Sequence, residues 1–381
     1  MTAHLGLSGE QSALLDLVRD IARREIAPNA DELERAGTFP RAAFDSLGKA
    51  GLLGLVYPER FGGGDQPTWV YLLMLEELAA AHLAVGLGVS VQTLTMFPTF
   101  AYGTDEQRDT WLPHGCSGEW IGAYCLSEPA GGSDAAALQT KATRDGDSFV
   151  ISGRKAFVTH GGEADYYQVF ARTGGEGPSG ISCIFVPAST PGITREKLEH
   201  KMGMRSSPTA AMVFDDVRVP ESNLIGEPGQ GFRIAMQALD GGRLGIAACS
   251  VGLARTALDA ALAFTRDRTQ FGKRLVEFQG LSFMLADMAT QVEAARTLTL
   301  DAARRRDAGI AYSTQAAMAK LFASDTAMRV TTDAVQAHGG YGYVNEFPAE
   351  RYMREAKVLQ IVEGTNQIQR LVIGRNIARQ E

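Results

Sequence analysis

Cysteine is scarce in this 381-residue chain: there are four, at positions 116, 125, 183 and 249. None forms a Cys-x-x-Cys pair, and the six histidines do not cluster around them. This excludes a disulfide framework and the spacing of a zinc site, and it suits a reducing, cytoplasmic compartment. Positive charge is not in excess either. Lys and Arg number 37 against 44 Asp and Glu, a net charge of −7, and the basic residues are scattered. A nucleic-acid or anionic-membrane surface is therefore not expected. Long apolar runs are missing: the most apolar stretch, Leu78 to Val91, contains His82 and is shorter than the roughly 20 residues that span a bilayer. The first ten residues lack a basic region ahead of an apolar core, so no signal peptide is expected. There is no P-loop, repeat or low-complexity segment. Gly175 to Gly180 has the glycine spacing of a dinucleotide loop, but β-type runs flank it and Pro178 sits inside it, which predicts a hairpin loop instead.

What remains is an ordinary globular composition, 45% hydrophobic and 21% charged, long enough for two or three domains and a large core. Residues 1–120 read as helical. Ser8 to Gln11 and Thr104 to Gln107 have the form of capping boxes, Leu14, Leu15, Leu17, Val18 and Ile21 recur at helical spacing up to a stop at Pro28, and Pro40 suits a helix start. Residues 121–231 read as β. Short runs at Trp120–Leu126, Phe149–Ser152, Ala156–Thr159, Tyr166–Ala171, Ile181–Val186 and Ala211–Val219, separated by Gly, Pro and Asp, predict an antiparallel sandwich or barrel. Residues 232–381 return to helix. Leu281, Met284, Leu285, Met288, Val292 and Ala295 make one apolar stripe, a further helix is predicted from Tyr312 to Ala337, and Gln367 to Gln380 is a third helix-forming run. The order helices, strands, helices predicts a β domain between two helical layers, the second a bundle.

Just before that last run stands Gln360-Ile-Val-Glu-Gly-Thr-Asn-Gln-Ile-Gln-Arg370, whose one carboxylate, Glu363, sits in apolar and amide company ahead of a glycine. Such a group fits a general base: burial raises its proton affinity, and Gly364 permits close approach of a substrate to the backbone. On this segment alone a dipole-complementing acid at a helix start is the better reading.

A second segment, Tyr124-Cys-Leu-Ser-Glu-Pro-Ala-Gly-Gly-Ser-Asp134, changes the balance. With Gln279 to Met288, Gln336-Ala-His-Gly-Gly-Tyr-Gly342 and Glu363 to Gln367, in that order along nearly the whole chain, it resembles the acyl-CoA dehydrogenase family. The resemblance implies a helical N-terminal domain, a β domain and a C-terminal four-helix bundle, usually assembled as a homotetramer, with FAD as cofactor and no metal. It implies that an acyl-CoA thioester loses its α-proton to Glu363 and its β-hydrogen, as hydride, to the flavin. The Glu363 backbone N–H is implied to hold the thioester carbonyl. Some members carry the base on the helix beside Asp240 to Arg243, where this chain has glycine.

The remaining roles also follow from the resemblance. Tyr124, Leu126, Ser127, Gly132 and Ser133 fall in the segment running along the flavin and its pyrophosphate, with Ser127 at the ring and Ser133 shared with CoA. Phe157, Val158 and Thr159 match an aromatic-plus-threonine segment, with Phe where Trp is usual, which removes an indole N–H. Arg268, Gln270, Phe271, Phe278 and Gln279 resemble the part that reaches a neighbouring subunit's FAD, Arg268 by pairing with pyrophosphate. Gln336, Ala337, His338, Gly339 and Gly340 are placed at the same interface. Thr365, Asn366 and Gln367 complete the cofactor contacts. On the substrate side stand Ser133, Leu239, Asp240, Gly241, Gly242, Arg243, Gly364 and Arg375.

The resemblance leaves the electron acceptor open between an electron-transfer flavoprotein and O₂, as in oxidases of this scaffold. A non-catalytic flavin-binding subunit would lack the base or half of the FAD contacts. From Arg60 to Arg108 no Lys or Arg intervenes, so a dicarboxylyl group would find no cation there and an apolar acyl chain is expected. Residues 172–183 and 241–250 resemble isobutyryl-CoA dehydrogenases, whereas Asp240 and Glu363 to Gln367 are more like straight short-chain enzymes. No membrane-associating C-terminal extension of the very-long-chain type is expected.

Overall fold

The computed structural model describes residues 6–378. Its first layer holds α1 (Gly9–Ile21), α2 (Ala30–Ala36), α3 (Arg41–Lys49), α4 (Thr68–Ala81), α5 (Leu83–Tyr102) and α6 (Asp105–Ser117). Both predicted capping boxes are present, with Ser8 Oγ accepting from Gln11 N at 3.1 Å and Thr104 Oγ1 from Gln107 N at 3.2 Å. Pro28 does not end the helical run: α1 passes at Ile21 into a π-helical turn, Ala22–Ile26, and Pro28 lies in the 3-10 turn Ala27–Asn29 that leads on to α2.

Helices α4 and α5 are apolar on all sides, and that places them inside the protein. The Leu78–Val91 run proves to be the join of two helices at His82, and the second of them, α5, like the later helix Gly231–Asp267, has the length and hydropathy to cross a membrane. Its most apolar window is 83% buried among the other elements, which is what a core helix shows.

The second layer is one eight-stranded sheet: β1 (Gly122–Cys125), β2 (Lys141–Asp145), β3 (Ser148–Thr159), β4 (Tyr166–Arg172), β5 (Ile181–Pro187), β6 (Ile193–Leu198), β7 (Thr209–Pro220) and β8 (Leu224–Ile225). Its halves β6-β7-β3-β2 and β1-β4-β5-β8 meet only where Lys141 pairs with Arg172. Both halves feed one core, built around Phe149, Ile151, Val169, Ile184, Phe214 and Val217. The sheet is mixed rather than antiparallel. β1 runs parallel to β4 because it enters from α6, with no hairpin to impose the opposite sense. Two predicted runs fuse into β3, which carries register shifts against β7 between Ile151 and Gly153 and between Lys155 and Val158. β2 and β6 were not predicted, since both are largely exposed and charged and show no apolar alternation. The Gly175–Gly180 segment is the loop of the antiparallel β4–β5 hairpin, as expected.

The third layer holds α7 (Gly231–Asp267), the short hairpin β9 (Thr269–Gln270) and β10 (Lys273–Arg274), then α8 (Gln279–Asp307), α9 (Ser313–His338), α10 (Ala349–Leu359) and α11 (Asn366–Ile377). The predicted extension of the last helix to Gln380 lies outside the described residues. α7 packs on α4, α5, α8 and α9, so the first and third layers share one core. Leu285, Met288, Val292 and Ala295 of α8 are buried in it, with Leu281 and Met284 at its edge.

Candidate active site

Glu363 sits in the turn between α10 and α11. Its backbone is left-handed, φ +52°, followed by Gly364 at φ +89°. A non-glycine residue in this region is held there by its surroundings. Here the bonds are visible: Asn366 N donates to Gln360 O at 3.0 Å, and the buried Gln369 donates through Nε2 to Glu363 O (3.2 Å) and Gly364 O (2.8 Å). Lys320 of α9, wholly buried, donates to Gly364 O (3.0 Å) and to Asn366 Oδ1 (2.9 Å).

The turn drives the Glu363 side chain against α7. Both carboxylate oxygens are inaccessible, and neither has a hydrogen-bond partner. A Cβ on Gly242 would lie 2.8 Å from the Glu363 Cδ and overlap Oε2. The carboxylate therefore occupies the space a side chain at 242 would fill, so glycine there is required and the two positions are alternatives for one volume. Burial pushes the Glu363 carboxyl up to about 7, against the opposing charges of Lys320 and Arg243. Arg243 is itself buried and ion-paired with Asp240, whose Oδ1 also accepts from Ser313 Oγ at 3.0 Å. Asp240, Gly242, Arg243 and Gly364 are thus brought to Glu363. Leu239 and Gly241 are their neighbours on α7, and Gly241 faces the Arg306 guanidinium.

From the sheet, Tyr124 on β1 reaches α7, donating to Ala235 O at 3.4 Å, and its hydroxyl feels the Glu363 charge. Beyond β1 the loop carrying Ser127, Gly132 and Ser133 is fastened to β3. Ala156 N donates to Ser127 O (2.9 Å), and buried Lys155 donates to Leu126 O (3.2 Å) and to Glu128 (2.8 Å). Glu128 also accepts from Gln139 N (2.6 Å) and Thr140 N (2.9 Å), closing the loop. Gly132 and Ser133 remain exposed. At the β3 irregularity Phe157 is left-handed (φ +55°) and turned outward, 70% exposed, beside the Ser127 strand. Bulges re-aim side chains in this way. Thr159 is half-buried at the strand end.

Five of the expected residues have side chains that turn inward or are engaged within the protein. Leu126 and Val158 turn their side chains into the packed interior, which leaves only their backbones for a ligand. Ala337 and His338 are buried, with His338 stacked on Phe264 at 4.6 Å and its Nδ1 2.7 Å from Ala334 O. The Asn366 amide is taken up by Lys320, by Ser324 (3.0 Å) and by Asp325 (2.7 Å). Its amide thus holds the turn. Thr365 caps α11, accepting from Ile368 N at 3.3 Å, while Gln367 and Arg375 are exposed on that helix.

A second group lies elsewhere. Arg268 ends α7, twenty-five residues beyond Arg243, about 37 Å along a helix. Around it the exposed Gln270 and Phe271 form the β9–β10 turn, and Phe271 faces Phe278 with ring centroids 6.4 Å apart. Arg268 lies over Tyr341, and Gln279, Gln336, Gly339 and Gly340 are exposed. This chain does not bring them to Glu363. Lys320 and Gln369 were missed by sequence reasoning. Their only signal is a lone cation among the alanines of 316–323 and one amide among several after Glu363. A further buried group, Glu34, His82 and Glu355, offers ligand atoms within 4.8 Å of one another. Arg354 lies 3.8 Å from Glu34 and Arg351 3.7 Å from Glu355, so it is an ion-pair knot tying α2 to α10.

A dry, unpaired carboxylate packed on bare helix backbone with two cations in attendance is equipment for taking a proton from a weakly acidic carbon, on a helix–sheet–helix scaffold. Comparison with known proteins supplies the rest. The acyl-CoA dehydrogenase N-terminal, middle and C-terminal domains match residues 8–119, 123–217 and 229–378. An acyl-CoA dehydrogenase of Bacillus subtilis is 44% identical over 96% of this chain and 97% of its own length. The mitochondrial isobutyryl-CoA dehydrogenase of Dictyostelium discoideum is 41% identical over 99% and 91%. Among solved structures, butyryl-CoA dehydrogenase from Megasphaera elsdenii superimposes with a TM-score of 0.96 at 42% identity, covering 98% of this chain and 99% of that one. A chain solved with the electron transferring flavoprotein of Acidaminococcus fermentans gives 0.96 at 44%, with the same coverage. The chain belongs to the acyl-CoA dehydrogenase family. It is a flavoprotein oxidoreductase that dehydrogenates an acyl-CoA.

Proposed function

We propose that this enzyme oxidises a short, uncharged acyl-CoA, straight or α-methyl branched, to the 2-enoyl-CoA, with Glu363 as base, FAD as its flavin and an electron-transfer flavoprotein as acceptor. The observation that carries this is the buried, unpartnered Glu363 carboxylate lodged in the space left by Gly242. A thioester α-proton is very weakly acidic, so its removal needs a desolvated base held in place, and a carboxyl raised to about 7 is matched to neutral pH. The Glu363 N–H, in this left-handed turn beside Gly364, donates to the thioester carbonyl as charge develops on its oxygen. Arg243 and Lys320 oppose desolvation and keep the base ionised.

The residues fit a flavin: Phe157 offers an outward ring as platform, and Ser127, Ser133 and the exposed backbone around Gly132 offer polar contacts beside it. FAD, when bound, supplies the acceptor for the β-hydrogen. The long separation of Arg268 from Arg243 on one helix supports a homotetramer in which Arg268, Gln279 and Gln336 serve a neighbour's cofactor. The four cysteines, all buried and free, support a cytoplasmic site of action.

The acyl group meets α4 and α5, which contain no Lys or Arg, and the carboxylates of α4 are already paired with Arg255, Arg296 and Arg19. Names of the relatives point the same way, to butyryl and isobutyryl thioesters. Glu363→Gln should keep flavin and ligand but lose about 10² to 10⁴-fold in the rate of flavin reduction. A wild-type rate would move the base elsewhere. Comparison of kcat/KM over butyryl-, isobutyryl-, 2-methylbutyryl-, octanoyl-, palmitoyl- and glutaryl-CoA tests the substrate. A methylene changes binding by about 1–3 kcal/mol, so activity should spread around the short members. Preference for palmitoyl- or glutaryl-CoA would overturn the pocket reading.

A further inference from the structure

We infer that Lys320 is a positioning residue for the Glu363 base: it fixes the turn that carries Glu363 and, through its charge, sets the pH at which the carboxylate ionises without bonding to it. This rests on the reading of Glu363 as base. Lys320 is fully buried, and its Nζ is directed at Gly364 O and Asn366 Oδ1, not at the carboxylate, whose two oxygens have no hydrogen-bond partner. Of the charges opposing desolvation of Glu363, that of Lys320 is the larger and that of Arg243 the smaller.

The groups around Glu363 explain the ranking. On α7, Arg243 is ion-paired with Asp240, which offsets its field. Cys249 of α7, Tyr71 of α4 and Tyr124 of β1 are pushed up by burial and stay neutral at physiological pH. On α9, Asp325 is engaged by Asn366 Nδ2 and Gln360 Nε2, both at 2.7 Å, and by Arg370 at 3.2 Å. The hydrogen-bond partners of Lys320 at Gly364 and Asn366 are neutral, and the one carboxylate besides Glu363 that acts on its charge, Asp325, is itself engaged by other donors. Burial pulls Lys320 down to about 8, against the charges of Glu363 and Asp325, which hold it up. Direct bonding would hold the base too firmly to accept a proton. A cation one step away, on the carbonyl of the next residue, ionises it and leaves both oxygens free for substrate.

The test uses FAD-loaded wild-type protein, Lys320→Met and Lys320→Arg, with Lys320→Gln as a second charge-free variant that retains a donor toward Gly364. Two midpoints are read: that of the ascending limb of flavin reduction by butyryl-CoA, and that of the protonated-carboxyl infrared band that Glu363→Gln removes. Loss of the charge should move both upward by about one pH unit. The rate near neutrality should then fall about fivefold and recover at higher pH, and Lys320→Arg should return both midpoints to wild type. A rate lowered equally at every pH with unmoved midpoints would reduce Lys320 to a scaffold and overturn the inference. The two readings fail separately. If Glu363→Gln reduced flavin at the wild-type rate, the base assignment would fall, and the infrared midpoint alone would still decide whether Lys320 sets the Glu363 charge.

Discussion

The molecule contains two buried glutamate–lysine pairs, one in the sheet and one in the helical layer, built to opposite ends. In the sheet, Lys155 bonds Glu128 directly at 2.8 Å, and two backbone N–H groups fill the carboxylate's remaining positions. Burial raises the Glu128 carboxyl, but Lys155 and these donors outweigh it and hold it below the usual range. Around Glu363, Lys320 bonds the backbone instead, the carboxylate has no partner, and burial wins. The same two residue types make a fastener in one place and the proposed base in the other. The difference is whether the lysine's donors reach the carboxylate or stop at its neighbours.

Breaking the fastener should have the largest effect. Lys155→Met leaves a buried charge uncompensated and should cost about 3–5 kcal/mol in denaturant unfolding, with loss of flavin as the 126–140 loop loosens. Adding Glu128→Gln removes that charge, keeps an acceptor for the loop N–H groups, and should recover much of the loss. The reverse holds at the base. A carboxyl raised from 4.5 to about 7 binds more protons folded than unfolded between those values, so it lowers stability as pH rises through that window. Glu363→Gln should therefore be more stable than the parent at pH 8, by up to about 3 kcal/mol. The gain should vanish below about pH 4.5. A variant no more stable at pH 8 would mean that the carboxylate is better solvated than its contacts imply.

Gly242→Ala sharpens the contrast further. Alanine in a helix interior is ordinarily favourable by up to about 1 kcal/mol, yet here its methyl must displace the carboxylate. Stability should change little while flavin reduction falls about 10²-fold, the scale expected of a reacting group displaced by an ångström. The last contrast is in pH, at Glu128. Its depressed carboxyl contributes stability that is present above about pH 4.5 and is lost as pH falls through its folded value, so Glu128→Gln and the parent should converge in acid. Thermal unfolding at stepped pH would show whether they do.

Much of this was legible before folding. Capping boxes at Ser8 and Thr104, the α8 stripe and the strand runs depend on neighbours three or four residues away, and they fell where expected. Strands β2 and β6 did not, because both are short, largely exposed and charged and carry no apolar alternation. The parallel seat of β1 depends on where α6 delivers the chain, which no local pattern encodes. At the site, Glu363 and the glycines at 241 and 242 could be singled out as residues, but the occupation of Gly242's space by Glu363 joins positions 121 residues apart.

By itself the sequence determined the order of layers and the family and singled out Glu363 as the candidate base, because periodicity, capping and contiguous motifs are properties of neighbouring residues. Only the tertiary structure decided which lysine faces which glutamate, that Asn366, Ala337 and His338 turn inward, and that Arg268 stands far from the Glu363 turn. Desolvation, uncancelled charge and reach along a helix exist only once distant segments share a core.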